Sequence, residues 1–301
     1  MNFKIIIWFV LLIWVASCRQ PGDIVLPETS PVLVVNSVFC KDSNMSVRLS
    51  YTQGITDNSP RKYEAGAIVT LHDKDSVLMA TFTNNGNGWY SLAQKPQVSK
   101  LYFLKIQEGS NIYWTNDSVP PTPQIIINDT SRIFFQGRPN FFLIEMALAD
   151  KQTAPGYYGI KLRYNYEVYT LDDAGQHKDT AYKEEWLDIE TNDPLLNESE
   201  FAKFSKKHLL FTDRYFNNTT AILKPGSSAI IRNNRQKPHF LIIYTEQYSP
   251  MAFQYYATIN EHIFYQNDPF SQPAAVSGNI GKAYGAFTGR SVKADTIHFK
   301  Q

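Results

Sequence analysis

From Val32 onward the chain is patterned in short apolar and aromatic runs with polar residues between them. Leu33–Phe39 reads as a first strand, and Met45–Tyr51 as a second because its apolar positions recur every two residues. Ala65–Leu71, Ser76–Phe82, Trp89–Leu92 and Leu101–Gln107 continue the series. Asn85-Gly86-Asn87-Gly88 supplies residues that tolerate positive φ at one of its turns. Strands about ten residues apart with turn signals between them predict a β-sandwich over residues 32–118. Pro120, Pro121 and Pro123 then stiffen the chain and remove ladder donors. Residues 119–124 therefore read as a Pro-rich linker.

The second half, residues 125–301, predicts longer strands at Phe141–Ala149, Tyr157–Leu171, Leu209–Asp213, Ala221–Arg232 and His239–Glu246. In YYGIKLRYNYEVYTL, Ile160, Leu162, Tyr164, Tyr166 and Val168 alternate with Lys161, Arg163, Asn165 and Glu167. One face is expected to be buried and the other wet, as in an antiparallel sheet. Helix signals are few. Phe253, Tyr256, Ile259 and Ile263 recur at helical spacing within Met251–Tyr265, with Ser249 as N-cap and Pro250 in the first turn. A second, short helix is expected over Glu198–Lys206. The glycines from Gly278 to Gly285 are expected to bend the chain into final strands at Ala286-Phe287 and Ser291–Phe299. The expected fold is mainly β: an N-terminal transthyretin/Ig-like β-sandwich, then a larger antiparallel sandwich or barrel-like domain with one or two helices.

The N-terminus is different in kind. Lys4 precedes an apolar run from Ile5 to Val15. As a helix it would rise about 16 Å, roughly half the hydrocarbon thickness of a bilayer. That is too short to span and has the layout of a signal peptide, residues 1–17. Val15-Ala16-Ser17-Cys18 resembles the lipobox of bacterial lipoproteins, which makes Cys18 the lipidated first residue of the mature chain. Two or more acyl chains would anchor it stably to a membrane. Arg19, not Asp, follows the cysteine, which favours the outer membrane over retention at the inner one. Residues 18–31, rich in Pro and polar side chains, read as a lipid-anchored tether.

Removing residues 1–17 leaves 28 Lys and Arg against 28 Asp and Glu. A balanced charge gives no reason to expect a nucleic-acid partner. Cys40 remains as a lone thiol without an intramolecular disulfide partner, expected as a buried strand residue. The six histidines are dispersed without metal-ligand spacing, so no metal or other cofactor is expected. Asp73 and Asp75 lack the Gly and distal Glu of a calcium loop and read as a turn. Asp172-Asp173 and Glu184-Glu185 are adjacent carboxylates whose side chains diverge, so they suit paired acid–base work poorly. Gly278 to Lys282 misses the phosphate-loop spacing, and no serine stands in a nucleophile elbow. No catalytic residues are expected.

Several blocks carry resemblances. GAIVTLHDKDSVLMATFTNNGNGWYSL is similar to the transthyretin-like or carboxypeptidase-regulatory modules of secreted bacterial proteins. SCRQPGDIVLP, LVVNSVFCKDS, LLFTDRYFNN, IIYTEQYSPMAFQYYATI and especially NDPFSQPAAVSGNIGKAYGAFTGRSV resemble the DUF4249 family of Bacteroidota outer-membrane lipoproteins. That resemblance implies an envelope lipoprotein whose gene lies beside a TonB-dependent receptor. It brings no catalytic residues. Asp75-Ser76-Val77, Asp117-Ser118-Val119, Asp179-Thr180-Ala181 and Asp295-Thr296-Ile297 look like the Asp-Ser/Thr-apolar O-glycosylation tripeptide of that phylum, which makes Ser76, Ser118, Thr180 and Thr296 candidate attachment sites.

The expected function is that of a non-enzymatic, outer-membrane lipoprotein, an accessory to a TonB-dependent transporter in substrate capture or delivery. A surface module binding glycan or protein without a transporter is the alternative, and a hydrolase with an unrecognised site is a third class. Neither the ligand nor the membrane face is set by the sequence.

Overall fold

The computed structural model describes residues 30–54, 57–171, 174–197, 201, 203–230, 236–266, 268, 270–272 and 274–299. Cys18 and the tether as far as Thr29 lie outside these residues, as do Asp172 and Asp173. Val32–Thr52 and Ser59–Gln301 form one compact unit. Of the other unit, Met1–Pro31 with Gln53–Asn58, six residues are described.

The fold is mainly β and sandwich-like. Its first strands are β1 (Leu33–Phe39), β2 (Met45–Tyr51), β3 (Ile68–His72), β4 (Leu78–Thr81), β5 (Thr83–Asn84), β6 (Trp89–Leu92), β7 (Leu101–Glu108) and β8 (Asn111–Ser118). β1, β2, β6 and β5 lie in one sheet, and β4-β3-β7-β8 form another. Alternate residues of both sheets, among them Val35, Phe39, Val47, Leu49, Val69, Leu71, Tyr102 and Leu104, share one buried core. The turn before β6 has positive φ at Gly86, Asn87 and Gly88, as the Asn-Gly run predicts.

The chain continues through β9 (Gln124–Phe135), β10 (Arg138–Ala149), β11 (Tyr157–Leu171), β12 (His177–Leu187), α1 (Pro194–Asn197), β13 (Leu209–Thr212), β14 (Thr220–Leu223), β15 (Gly226–Ser227), β16 (Gln236–Tyr248), α2 (Pro250–Tyr265) and β17 (Tyr284–His298). β12-β11-β16-β17 is a continuous sheet with β13 added on β11, while β10 pairs with β9, β14 and β15 in a second sheet. Ile160, Leu162, Tyr164 and Tyr166 of β11 pack with Ile144, Met146 and Leu148 of β10 in the largest core. This is the buried face that the alternation predicts.

β17 ties the two halves together. Its first half runs parallel to β1, from Val34↔Tyr284 to Phe39↔Gly289. Its second half runs antiparallel to β16, from Tyr248↔Arg290 to Phe240↔His298. One nine-stranded sheet therefore crosses from the first core to the second. Phe287 brings its ring to 4.4 Å from that of Phe39 in the first core. The glycine-rich segment serves this pairing and leads into one fifteen-residue strand where two short strands were expected. Gly285 has φ +88°, and a Cβ there would collide with the Val35 carbonyl oxygen. A Cβ at Gly289 would collide likewise with the Ser118 carbonyl.

Several local expectations need correction. The described residues of Glu198–Lys206 contain no helix: Phe201, Lys203 and Phe204 are in turns. The helical turn comes earlier, at α1, where Asp193 Oδ1 accepts from Leu195 N at 3.0 Å and Pro194 opens the helix. Cys40 is not a buried strand residue. It lies just past β1, half-buried, with Sγ 3.2 Å from Ser43 Oγ. Ala221–Arg232 is not one strand; β14 and β15 are separated by Lys224 and Pro225. Glu184 and Glu185, which as adjacent polar residues suit a solvated loop, lie instead in β12.

Candidate functional site

The outer face of β11, β16 and β17 carries the densest polar chemistry of the described residues. Pairing sets Gly159 opposite Glu246 and Glu246 opposite Val292, with Tyr248 opposite Arg290. Side chains on this face alternate with the core residues of the same strands. α2 packs across one end of the face, burying Ala252, Phe253 and Ala257 against Leu210 and Tyr248. The helix begins as its sequence predicts: Ser249 Oγ accepts from Ala252 N at 3.0 Å, and Pro250 follows. Its buried stripe is rotated from the expected one, for Ile263 is 52% exposed. Ser249 Oγ also donates to Asp117 Oδ2, which accepts from Gly289 N at 2.8 Å. Through Asp117 the end of β8 is joined to the start of α2 and the middle of β17.

Beneath α2 lies a buried charge centre. Glu246 is 3% exposed. Its Oε1 lies 2.7 Å from Arg290 Nη1, and its Oε2 lies 3.0 Å from Lys161 Nζ and 3.4 Å from His208 Nε2. Tyr248 Oη donates to Oε2 as well, and lies 2.7 Å from His208 Nε2. Gly159 leaves room for these rings: a Cβ would come within 2.9 Å of Tyr248 Cε2 and 3.2 Å of His208 Nε2. Lys161 was expected on the wet face, but α2 covers it, with its Nζ 5.7 Å from the centre of the Tyr256 ring.

Burial raises the Glu246 carboxyl, but the His208 hydrogen bond and the Lys161 and Arg290 charges outweigh it and hold the group well below the carboxylate range. Burial pulls the His208 imidazole down, only partly offset by Glu246, so the ring is neutral at neutral pH. Burial likewise pulls the Lys161 ammonium down. Tyr248, His208 and Glu246 are buried, while the Lys161 and Arg290 side chains keep 20% and 28% of their exposure. The centre sets one carboxylate against two cations beneath α2, where Lys161 Nζ also faces the Tyr256 ring.

Past the end of α2 the same face continues uncovered. Arg163 pairs with Trp186, Asn165 with Glu184 and Glu167 with Tyr182. Trp186 is 45% and Tyr182 68% exposed, about 13 Å apart along the strand by their four-residue separation. The Trp186 ring lies 5.4 Å from that of Tyr244 and 6.0 Å from the Arg163 guanidinium carbon. Arg163 is ion-paired with Glu184. Tyr169 Oη donates to Glu167 at 2.6 Å, and His239 Nε2 lies 2.7 Å from the same carboxylate. The Tyr169 bond, with help from His239 and Tyr182, holds Glu167 down at about 2. The strip presents aromatic rings and fixed charges together.

A third polar group lies at the far end of the second core. Asp213 hydrogen-bonds Asp150, and burial together with that neighbour pushes the Asp213 carboxyl up. Asp213 Oδ2 accepts from Gly156 N at 2.7 Å, and Asp150 Oδ2 accepts from Asn218 N at 3.0 Å. Both are buried and bind turn amides, which makes the pair structural.

The four candidate glycosylation residues are not brought together. Ser76 is exposed, at φ +61°, in the turn between β3 and β4. That turn is closed by Asp73 Oδ1, which accepts from Asp75 N and Val77 N, both at 2.9 Å. Ser118 is half-buried at the end of β8, and Thr180 is half-buried on β12. Thr296 is exposed on β17. No group of three His, Cys, Asp or Glu among the described residues is placed to hold a metal ion.

No motif in the sequence marks Glu246, His208, Arg290 and Asp117 as one group; the fold brings them together. One available signal was a Glu and a Tyr two apart, in Glu246 and Tyr248, at the buried end of a strand. Fold and face together define a mainly β, sandwich-like protein with an open aromatic and charged sheet surface. No protein-family model matches the chain, and no curated protein matches it.

Proposed function

We propose that this chain is a non-enzymatic lipoprotein of the cell envelope, lipid-anchored to the outer membrane through Cys18, that assists a TonB-dependent transporter in capturing or delivering its substrate. The lipobox-like Val15–Cys18, the Arg at position 19 and the resemblance of the Asn267–Val292 block support the location. The observation that carries the binding role is the exposure of Trp186 and Tyr182 beside the half-buried, ion-paired Arg163 on one open face. Trp, Tyr and Arg are the side chains that dominate binding energy at protein interfaces, and here they are held on paired strands beside a pinned helix. The same face also supports a second reading, a surface module that binds glycan or protein without a transporter.

Affinity isolation of the tagged protein from membranes in mild detergent separates the two. Recovery of a TonB-dependent receptor at a fixed ratio is expected. Repeated isolation without a receptor, combined with glycan binding by the purified protein, would favour the second reading.

A further inference from the structure

Two strand edges face each other across an open seam. Among the described residues β9 pairs with β10 alone, so the other edge of Gln124–Thr130 offers backbone groups outside any strand ladder. β17 leaves β1 after Gly289, and from Ser291 to His298 its one strand partner among the described residues is β16. Ile125–Thr130 and Asp295–Ile297 line a groove of about 620 Å³ between these edges. A second hollow of about 500 Å³ continues it past Gln124, Ala147, Thr220 and Lys293. The Lys293 ammonium donates to the Ile125 carbonyl oxygen, so a whole lysine side chain bridges the gap.

The lining is not that of a protected edge. Edge strands are normally blunted by charge, as β12 is with Lys178, Asp179, Lys183, Glu184 and Glu185. Here Ile126 is 69% exposed, and Ile127 and Ile297 are partly buried against the main core. Asp295 Oδ1 lies 3.5 Å from Lys293 Nζ, while its Oδ2 is buried with no hydrogen-bond partner among the described residues. Asp129 stands exposed on the same wall. The seam therefore presents two rows of main-chain donors and acceptors, apolar side chains, and a buried carboxylate oxygen that wants a donor. A strand laid between the edges would lie about 4.8 Å from each and pair with both. The seven residues Gln124–Thr130 span about 23 Å, which sets its length.

We propose that this seam is a docking site for an extended peptide strand of a partner protein. The strand is about seven residues long, apolar at alternate positions and bears Arg or Lys opposite Asp295. Its insertion joins β9 to β17 and closes that side of the second sandwich. The proposal holds whether or not the partner is a transporter.

Hydrogen–deuterium exchange on the full chain with the heptapeptide Val-Arg-Val-Arg-Val-Arg-Val tests it. Saturable binding is expected, with exchange slowed in Gln124–Thr130 and Ser291–His298 and unchanged in β12. N-methylation of alternate peptide nitrogens removes donors and is expected to weaken binding by about tenfold or more. Asp295→Asn is expected to weaken the arginine peptide several-fold while leaving a Val-Thr heptapeptide unaffected. No saturable binding, protection on the β12 edge, or equal binding of the methylated peptide would overturn the proposal. So would a concentration-dependent dimer that protects the same strands without peptide, since it would assign the seam to a second copy.

Discussion

Replacing Glu246 with Gln removes the one anion from a centre that holds two cations. Arg290, Lys161 and His208 lie 2.7, 3.0 and 3.4 Å from its carboxylate, and Glu246 itself is 3% exposed. Breaking a buried ion set by removing one partner costs about 3–5 kcal/mol, because the charges left behind stay desolvated. The Lys161 and Arg290 side chains keep 20% and 28% of their exposure, so water relieves part of that penalty. The lower end, about 3 kcal/mol, is expected, a large share of a total stability of about 5–15 kcal/mol. The corresponding fall in Tm is roughly 6–12 °C. Urea and thermal unfolding followed by circular dichroism measure it. Glu246→Gln combined with Lys161→Met and Arg290→Met is expected to recover much of the loss, since an apolar set needs no compensation. A cost below about 1 kcal/mol for Glu246→Gln, the size of an exposed pair, would refute the buried centre.

Acid acts on the same group. Below its ordinary value of 6.5, His208 takes up its proton more readily in the unfolded chain, because burial holds it down in the folded one. Its stabilisation is complete above pH 6.5 and is lost as pH falls through the folded value; Glu246 adds a further loss below pH 4.5. Stability measured against pH should decline from about 6.5 downward, and less steeply in His208→Gln. Asp213 has the opposite sign: its carboxyl is pushed up, so its contribution is complete below pH 3.8 and is lost as pH rises through the folded value. Asp213→Asn should therefore stabilise the protein at pH 7, with the gain vanishing in acid. Ser249→Ala removes the α2 cap and the donor to Asp117, and should cost about 0.5–2 kcal/mol for the cap alone by urea denaturation. Gly285→Ala forces a Cβ onto the Val35 carbonyl at φ +88°, and a loss of at least about 1–3 kcal/mol is expected with weakened amide protection in β1. Cys18→Ala should abolish metabolic acyl labelling and release the protein from the membrane fraction.

Alternation made the half-buried strands legible. β2 and β11 were readable because one face meets a core and the other does not. β12 was missed for the converse reason: Lys178–Trp186 is exposed almost throughout, so its polar sequence has no period to reveal. β9 was not anticipated, because its polar Asn128-Asp129-Thr130-Ser131 stretch breaks any apolar alternation yet continues the strand. The helix α2 was readable from Ser249-Pro250 and its spacing, while its buried stripe was set by the Leu210 and Tyr248 surface that it meets. The pairing of β17 with β1 joins residues about 250 apart and leaves no local mark except glycines, which were read as a bend. Sites suffered most. Lys161 belonged by alternation to a wet face, but a helix from ninety residues later covers it.

The open face of Trp186, Tyr182 and Arg163 carries the proposed function, and it can be separated from the proposed lipid anchor. Trp186→Ala with Tyr182→Ala removes two exposed rings without touching a core. The direct measurement is the yield of TonB-dependent receptor isolated with this double variant and with the unaltered protein, from membranes in the same mild detergent. A fall of about tenfold or more is predicted, the size of losing an interface anchor, with acyl labelling of Cys18 unchanged. Equal receptor recovery with both proteins, or none with either, would contradict the account.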